Sequence, residues 1–299
     1  MITVIGSVNM DLIATTPRLP EPGETVSGTG FTTAQGGKGA NQALAAQRAG
    51  AWVKMAGAVG DDAFASQALA LLGEAGADLT PVRRLDGPTG IAMILVGGDG
   101  ENMIAVIPGA NGKVTAGDAE QAVAAMSAGD TLLLQMEIPA AAIEAGLKSA
   151  RAKGVRSVLN IAPLTEAVER LAPLADIVIA NETEFARLSG RPAETLSAAR
   201  AELEALHGKT GQCLIVTLGG DGVLWARDSQ IAHVESLKIT PVDTVGAGDT
   251  FCGYLAQGLD TGMEFADAVR RAAAAGALAC LKPGAQPSIP LSADVSARL

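Results

Sequence analysis

The sequence predicts an α/β fold with a mostly parallel central sheet flanked by helices, and three observations support this class. From residue 51 onward, short apolar runs rich in Val, Ile and Leu alternate with longer Ala-rich stretches, which is the rhythm of parallel sheets. Several of the apolar runs are followed directly by polar residues, as expected at the carboxyl ends of parallel strands, where ligands bind. Two extended insertions interrupt this rhythm and predict a second, smaller sheet.

The amino-terminal part contains the first strand and the first insertion. Residues 2–8 form a short apolar run that ends at the polar side chains of Asn9 and Asp11. A strand ending in glycine is also found in dinucleotide-binding proteins, where it begins the pattern GxGxxG. That pattern is not present here, because Val8 occupies the position of its second glycine. Turn residues and Thr-rich flanks then predict a pair of short strands within residues 12–33.

The second insertion, residues 89–107, is predicted to be a hairpin because two apolar runs flank a Gly-rich turn. The two insertions could pack together as a small accessory sheet. Such a sheet would serve either as a lid over the carboxyl end of the main sheet or as an oligomer contact, and both alternatives stay open.

The remaining elements alternate between strands and helices. Strands are predicted at residues 52–59, 131–136, 156–161, 176–180 and 213–217, and helices at 61–76, 116–127, 139–153 and 249–258. Glu137 directly follows one of these strands, so it is either a strand-end surface charge or a ligand group in the cleft. Because neither an internal repeat nor a linker is evident, we expect a single domain over residues 1–299.

Composition limits the partners. The chain has 299 residues, of which 48% are hydrophobic and 3% aromatic, enough for a large aliphatic core. The formal net charge is −10, which argues against nucleic acid or an anionic membrane as the main partner, because both require clustered positive charge. We therefore expect small-molecule partners, with any anionic ligand held by local N–H groups, single cationic side chains and metal ions.

Cysteine usage and the first residues bear on the compartment. The three cysteines, Cys213, Cys252 and Cys280, form no CxxC pair, so a disulfide framework or zinc site has little support and buried thiols are expected. The chain enters a strand at once without a signal-like leader, and no stretch resembles a membrane span. We expect a cytoplasmic protein.

The stretch from Asp243 to Phe251 combines three chemical groups. Gly246 and Gly248 flank Ala247 just before a predicted helix, so their backbone N–H groups can point at an anion such as a phosphate. Asp249 follows directly and is a candidate base for an attacking hydroxyl. Asp243 could ligate a hard cation or brace the loop. The alternative is a glycine turn followed by an ordinary helix cap.

A second glycine-rich stretch precedes the first helix. Gly36, Gly37 and Gly39 leave the backbone bare beside Lys38 and Asn41, which suits close approach of a polyhydroxylated ligand. It resembles a P-loop only superficially, since the spacing GxxxxGK[ST] is absent. A plain Gly-rich turn before a helix is the alternative.

Three further segments carry polar groups of undecided purpose. Asn181 and Glu184 share one face of a predicted first helical turn, which acidic residues also favour for reasons of helix dipole alone. Residues 217–223 form a Gly-rich turn that could border a nucleotide or simply close a hairpin. Residues 282–288 could offer carbonyls to a cation or merely terminate a helix. The histidines, His207 and His233, stand apart from other candidate ligands and are expected at the surface.

Taken together, these stretches resemble the ribokinase (PfkB-type) family of carbohydrate kinases over nearly the whole chain. Residues 36–43, GGKGANQA, resemble the family's amino-terminal signature, and residues 243–251, DTVGAGDTF, resemble its carboxyl-terminal signature. Residues 181–184 match its NxxE element. The resemblance implies a ribokinase-like α/β fold with a β-sheet lid made from the two insertions, and ATP-dependent phosphorylation of a sugar hydroxyl.

The resemblance also implies roles for individual residues. Asp249 would be the general base, and the N–H groups of Gly246, Ala247 and Gly248 would form the anion hole. Glu184 would organise Mg²⁺ through water, and Asn181 would approach the phosphates. The nucleotide would be bordered by Thr217, Leu218, Gly219, Gly220, Asp221, Gly222 and Gly248. A monovalent cation, K⁺, would be ligated by Asp243, Val245, Ala279, Lys282, Gly284 and Ser288.

For the acceptor, the resemblance implies D-ribose phosphorylated at its 5-hydroxyl, with contacts from Asn9, Asp11, Gly37, Lys38, Asn41, Glu137 and Asp249. Deoxyribose, another sugar or a nucleoside is the alternative acceptor, and a non-catalytic sugar or nucleotide sensor is the alternative of another class. Relatives often carry a polar His or Asn near the adenine where this chain reads Arg270 to Ala275. A lid too small to bury its apolar face predicts a homodimer through the lid.

Overall fold

The computed structural model describes residues 1–193 and 195–299, and within these residues the chain forms two β-sheets. The strands are β1 (Ile2–Ile5), β2 (Asn9–Thr15), β3 (Gly30–Gly36), β4 (Val53–Gly60), β5 (Val82–Leu85), β6 (Gly90–Val96), β7 (Asn102–Ile107), β8 (Thr131–Leu134), β9 (Arg156–Asn160), β10 (Ile177–Asn181), β11 (Cys213–Thr217), β12 (Val223–Arg227) and β13 (Gln230–Val234). The helices are α1 (Lys38–Arg48), α2 (Ala63–Ala68), α3 (Ala70–Glu74), α4 (Ala116–Ala124), α5 (Ala140–Lys153), α6 (Val168–Leu171), α7 (Glu182–Ser189), α8 (Leu196–Thr210), α9 (Ala247–Asp260), α10 (Phe265–Ala279), α11 (Ala285–Ser288) and α12 (Ser292–Ser296).

The large sheet has the strand order β13-β12-β11-β10-β9-β8-β1-β4-β5 in the described part of the chain. Its pairs are parallel from β11 through β5, while β12 and β13 add an antiparallel hairpin at one edge. Buried strands of this kind are nearly continuous apolar runs because helices cover both faces. The predicted fold class, a mostly parallel sheet with a small second sheet, is confirmed.

The small sheet has the order β3-β2-β6-β7 and is built from the two predicted insertions. Its two outer pairs are antiparallel, as expected of hairpins, but the central pair β2 and β6 is parallel. Residue Asn9 lies opposite both Gly36 and Gly90, so the end of β3 and the starts of β2 and β6 lie at the same level. The polar end of the first apolar run therefore begins the small sheet, and only residues 2–5 belong to the main sheet.

Helices cover the large sheet on both faces. One core cluster packs around α1, α9 and α10 and includes Leu44, Tyr254 and Val269. The opposite cluster includes Ile143 and Leu203 from α5 and α8. Helices α1 and α9 lie very close, since a Cβ atom built on Gly253 would stand 2.5 Å from the Cβ of Ala45. Small residues at this crossing let the two amino-terminal helix ends meet.

Several local expectations were wrong or incomplete. The helix predicted over residues 61–76 is divided into α2 and α3, which meet at Leu69. His207 is buried and not at the surface: its ring nitrogens lie 2.8 Å from the carbonyl of Gln212 and 2.6 Å from that of Asp228.

Cys252 and Cys280 are buried and Cys213 is partly buried, all as free thiols. Among the described residues, helices that are both long and apolar enough to span a bilayer are absent.

Candidate active site

Glu137 holds together the turn after β1 and the beginning of α1. Its Oε2 accepts hydrogen bonds from the Ser7 hydroxyl at 2.5 Å and from the backbone N–H of Lys38, the first residue of α1, at 3.0 Å. The residue before the helix, Gly37, makes no side-chain capping bond. A carboxylate that follows β8 instead accepts from one of the free N–H groups of the helix, and its negative charge interacts favourably with the positive end of the helix dipole. Glu137 therefore lies in the cleft and is not a strand-end surface charge.

The glycines before α1 make room for the protein's own chain. A Cβ on Gly36 would stand 2.3 Å from a carboxylate oxygen of Asp11, one on Gly37 2.7 Å from the backbone nitrogen of Asn9, and one on Gly39 2.5 Å from that of Ser7. Gly37 also has a φ of 88°, which favours glycine. On their Cβ side these residues thus meet Asp11 and the turn after β1, so the protein's own packing requires glycine there, and the contact of this backbone with a ligand stays a prediction.

Asn9 is oriented by Asn111, a residue that the sequence analysis did not identify. The Oδ1 of Asn111 accepts from the backbone N–H of Val8 at 2.9 Å, so its Nδ2 faces the Val8 carbonyl at 3.0 Å and the Oδ1 of Asn9 at 2.7 Å. The amide group of Asn9 consequently presents its N–H₂ end away from Asn111. Asn9 is therefore prepared as a hydrogen-bond donor beside Asp11, an acceptor.

Asp249 lies at the third position of α9 and is buried. Its Oδ2 accepts from Nδ2 of Asn41 and its Oδ1 from Nε2 of Gln42, each at 2.9 Å. Both donors lie in the first turns of α1, so the close crossing of α1 and α9 brings the two signature stretches together. Each carboxylate oxygen retains capacity for a second hydrogen bond.

The charges of this cleft are strongly coupled. Burial, and then the negative charges of Glu137 and Asp249, raise the pKa of Asp11 to about 7, while Lys38 opposes the shift. The attraction of Asp249 raises the pKa of Lys38, against the effect of burial and with a further contribution from Glu137. Lys38 is thus a firmly charged ammonium group among carboxylates. The negative charges of Asp249 and Glu137 compensate for the unfavourable position of a cation at a helix amino terminus.

A cavity of about 990 Å³ lies next to Asp249, between the β11–β12 turn and helices α9 and α10. Thr217, Gly219, Gly220, Asp221 and Gly222 line one side, and Gly248 lies on the other. The opposite wall is made of the small residues Ala273, Gly276, Ala277 and Cys280. Leu218 packs into the core beneath the turn instead of lining the cavity. The cavity has the size and the glycine-rich border that a nucleotide requires.

Asn181 and Glu184 form a reciprocal capping box at the start of α7. The Asn181 side chain accepts from the Glu184 N–H at 2.8 Å, and Oε2 of Glu184 accepts from the Asn181 N–H at 2.9 Å. Burial raises the pKa of Glu184, against the hydrogen bond from Asn181. Asn181 and Glu182 line the cavity, whereas Glu184 is buried behind them. The helix-terminus interpretation and the ligand interpretation are therefore compatible, since each side chain keeps a further polar atom.

The turn before α9 has the shape of an anion cradle. Gly246 has a φ of 79°, and a Cβ there would stand 2.9 Å from the Cα of Ala285. The N–H of Ala247 donates to the Thr244 carbonyl at 3.3 Å. Within the described chain, the N–H groups of Gly246 and Gly248 have no hydrogen-bond acceptor, and the Cβ side of Gly248 is open. Two of the three predicted anion-hole donors are thus fully free for a ligand.

Asp243 connects the two loops of the predicted cation site. Its Oδ1 accepts from the N–H of Val245 at 3.0 Å and its Oδ2 from the N–H of Gly284 at 2.8 Å. The remaining predicted ligands lie close to Gly284 in the sequence: Ala279 ends α10, Lys282 lies in the loop that follows, and Ser288 ends α11. This donor set contains only oxygen atoms, which suits a hard cation.

Sequence reasoning missed Ser7, Gln42, Asn111, Gln135 and Asn160, all of them buried and polar. The available signal was the position of Ser7, Gln135 and Asn160 at the ends of apolar runs, where polar residues collect around a cleft. Asn111 and Gln42 carried no comparable signal, because Asn9 lies 102 residues from Asn111 and Asp249 lies 207 residues from Gln42 along the chain.

The chain belongs to the pfkB family of carbohydrate kinases, whose family model matches residues 1–291. It is 36% identical to a ribokinase of Haemophilus influenzae over 97% of this chain and 95% of that protein. It is 34% identical to a deoxyribokinase of Salmonella typhi, again over 97% of this chain and 95% of the relative. The structure of Arabidopsis thaliana ribokinase complexed with ribose and ATP superposes with a TM-score of 0.89 at 32% identity, covering 99% of this chain and 97% of that chain. This protein is therefore a sugar kinase.

Proposed function

We propose that this kinase transfers the γ-phosphoryl group of ATP to the 5-hydroxyl of D-ribose. The observation that carries the proposal is the position of Asp249. Its carboxylate accepts a hydrogen bond from Asn41 near the start of α1, while the preceding residue, Gly248, lines the nucleotide-sized cavity at the amino terminus of α9. A base at that junction can accept the proton of a sugar hydroxyl that attacks a phosphate in the cavity.

The proposed chemistry uses the chain's own groups as follows. Asp249 accepts the proton of the 5-hydroxyl, whose oxygen forms a new bond to the γ-phosphorus while the bond to the β-phosphate oxygen breaks, giving ADP. The N–H groups of Gly246 and Gly248 stabilise the charge on the transferring group, with Ala247 contributing after its bond to Thr244 is released. Lys38, firmly charged, lies beside the same carboxylate and balances its charge.

The proposed sugar contacts share one property: each presents a polar atom that its neighbours leave available. Asn9 offers its N–H₂ group because Asn111 occupies its oxygen. Oε1 of Glu137 is left for a ligand because Ser7 and Lys38 occupy Oε2. Asp11, Gly37, Lys38 and Asn41 complete the set. A site that pairs individual hydroxyls rejects analogues lacking one, because the protein groups are then left unpaired.

We assign two ions to the proposed mechanism. Among the described residues, groups of three or more His, Cys, Asp or Glu that could hold a metal are absent, which fits a Mg²⁺ held mainly by nucleotide phosphates and water. Glu184 would orient that water shell, and the ion would supply charge neutralisation of the phosphates. Asp243 and the carbonyls around it would hold K⁺ beneath the anion-hole turn.

We further propose that the small sheet is a lid and that it mediates a homodimer. Phe31, Met93, Met103, Ile104 and Val106 are all at least half exposed on this sheet. Strand β7 is exposed along its whole length and forms an open edge. An apolar patch and an unpaired edge of this kind are typical of an interface between copies.

A coupled assay for ADP release with a panel of acceptors tests the function. With ATP, Mg²⁺ and K⁺, we expect D-ribose to give a kcat/KM at least about 10-fold higher than 2-deoxyribose or any nucleoside. Asp249→Asn is expected to lower kcat by roughly 10²- to 10⁴-fold while ribose still binds in calorimetry. A higher kcat/KM for deoxyribose, which is the substrate that the name of one relative indicates, would refute the assignment of ribose.

A further inference from the structure

The side chain of Gln42 is fully buried, and its three hydrogen bonds all go to other side chains. Nε2 donates to Oδ1 of Asp249 at 2.9 Å and to Oδ1 of Asn160 at 3.1 Å. Oε1 accepts from Nε2 of Gln135 at 2.7 Å. Gln135 directly follows β8 and Asn160 ends β9, so Gln42 links the candidate base to the ends of two central strands.

The orientation of the side-chain amides of Gln42, Gln135 and Asn160 follows from the hydrogen-bonding groups at the two ends of this series, Asp249 and the backbone. An ionised carboxylate only accepts hydrogen bonds, so the end of Gln42 that faces Asp249 is the N–H₂ group. Its oxygen then faces Gln135, which must donate. Asn160 donates to the backbone carbonyl of Ile179 at 3.3 Å, which leaves its oxygen facing Gln42. Each group thus has one orientation that satisfies its neighbours.

The sheet is shaped to accommodate this connection. A Cβ on Gly6 would stand 2.1 Å from Oε1 of Gln135, so the glycine that directly follows β1 leaves the space that Gln135 needs to reach Gln42. Oε1 of Gln135 is itself buried without a hydrogen-bond partner, but the bonds described above pair the other amide groups of this network, and breaking one would leave a further buried polar group unsatisfied, which is costly. The Oδ1 of Asp249 is therefore tied to the rigid sheet and not only to its own helix.

We propose that Gln42 is a positioning residue that, through this chain of amides, holds Asp249 in the orientation needed for proton transfer. The inference rests on the proposed function, in which Asp249 is the base. Asn41 contacts the other oxygen of Asp249 and also belongs to the proposed sugar site. Gln42, with 0% of its surface exposed, touches neither sugar nor nucleotide, so it acts on turnover only through Asp249.

Two substitutions of similar size test this role. Gln42→Glu keeps the shape and the bond from Gln135 but replaces the donor to Asp249 and Asn160 with an acceptor, and Gln42→Met removes all three bonds. We expect kcat to fall about 10- to 100-fold in each, the loss typical of a catalytic group displaced by about 1 Å. The calorimetric Kd for ribose should stay within about threefold, since the sugar contacts remain.

A matched control lies on the same helix. Gln47 also makes two hydrogen bonds, donating to the Ala75 carbonyl at 3.0 Å and accepting from the Val53 N–H at 3.2 Å, but it lies far from Asp249 along α1. Gln47→Met should lower the melting temperature and leave kcat unchanged. Gln135→Met, which releases only the far end of Gln42, provides a second variant should Gln42→Met fold poorly, and it should lower kcat without raising the Kd.

Combining substitutions separates positioning from general destabilisation. In an Asp249→Asn background, Gln42→Met should cause less than a twofold further loss of the residual kcat, because the group that it positions is already absent. An equal loss in both backgrounds, or kcat within twofold of the parent in Gln42→Met and Gln135→Met, would overturn the proposal while leaving Asp249 as the base. Full activity of Asp249→Asn alone would overturn the proposed base itself, and the positioning role with it.

Discussion

Asn111 donates from Nδ2 to Oδ1 of Asn9 at 2.7 Å, and this bond decides which end of the Asn9 amide faces the proposed sugar site. The orientation starts from the backbone, because the Val8 N–H can pair only with the oxygen of Asn111. Asn111, 102 positions away in the sequence, therefore determines whether Asn9 presents its N–H₂ group or its oxygen to a ligand.

Replacing Asn111 with Asp should disturb sugar binding more than phosphate chemistry. An aspartate would place an oxygen against Oδ1 of Asn9, and Asn9 would rotate to present its oxygen to the sugar. We expect KM for ribose to rise about 10-fold or more with a smaller change in kcat. Asn111→Ala, which lets Asn9 rotate freely and costs roughly 1–3 kcal/mol of folding free energy, is the comparison. A KM within twofold of the parent in Asn111→Asp would contradict the role of Asn9 as a donor.

The affinity for the sugar should depend on pH through Asp11. Its pKa of about 7 means that half of the sugar-free enzyme carries a proton there at that pH. The ionised carboxylate accepts hydroxyl hydrogen bonds more strongly, so KM for ribose should fall as the pH rises through 7 and ribose binding should release a proton. Calorimetry in buffers of different ionisation enthalpy measures that proton. Asp11→Asn should abolish the release, and an unchanged proton release in this variant would rule out Asp11 as its source.

The same shift has a consequence for stability. The folded protein holds the Asp11 proton more tightly than the unfolded chain, whose group has the ordinary value of 3.8. The contribution of Asp11 to the free energy of unfolding therefore falls as the pH rises from 3.8 toward about 7. Asp11→Asn should raise the melting temperature of the sugar-free protein at pH 8, where the parent carries a partly buried charge that Lys38 offsets only in part.

Activation by K⁺ should require Asp243. Asp243→Asn removes the negative charge and sets an amide N–H₂ against one of the two N–H groups that the carboxylate accepts. We expect a several-fold stimulation of the parent by KCl over choline chloride at constant ionic strength, and a low rate in both salts for the variant. Asp267→Asn is the control, since Asp267 forms an exposed pair with Arg270. Persisting K⁺ stimulation in Asp243→Asn would exclude Asp243 as a ligand.

Charges on the lid should prevent dimer formation. Met103 and Ile104 are adjacent residues of β7 that point to opposite faces of the small sheet, and both are more than half exposed. Glutamate at both positions is expected to give a monomer by light scattering at micromolar concentration, whereas we expect the parent to be a dimer. Trp52→Glu, at an exposed site outside the lid, should remain a dimer. A monomeric parent would refute the proposed homodimer.

Much of the site was accessible from the sequence. Signature stretches with glycines before Lys38 and Asp249 identify the starts of two helices, since a glycine turn before a helix is a local property. The capping box of Asn181 and Glu184 is equally local, because both partners lie within one turn of α7. What the sequence did not show is that Gly36, Gly37 and Gly39 also make room for Asp11 and the turn after β1.

The sequence by itself determined the fold class and the alternation of strands and helices, because periodicity and turn chemistry act over a few residues, and its signature stretches indicated the family by resemblance. Only the tertiary structure decided the orientation of the side chains around Asp249 and Asn9. Hydrogen-bond direction depends on the groups at both ends, and for Gln42 and Asn111 those ends lie on helices and strands that meet only after the sheet forms. For the same reason the pKa of Asp11 reflects charges from Glu137, Asp249 and Lys38 that only folding brings together.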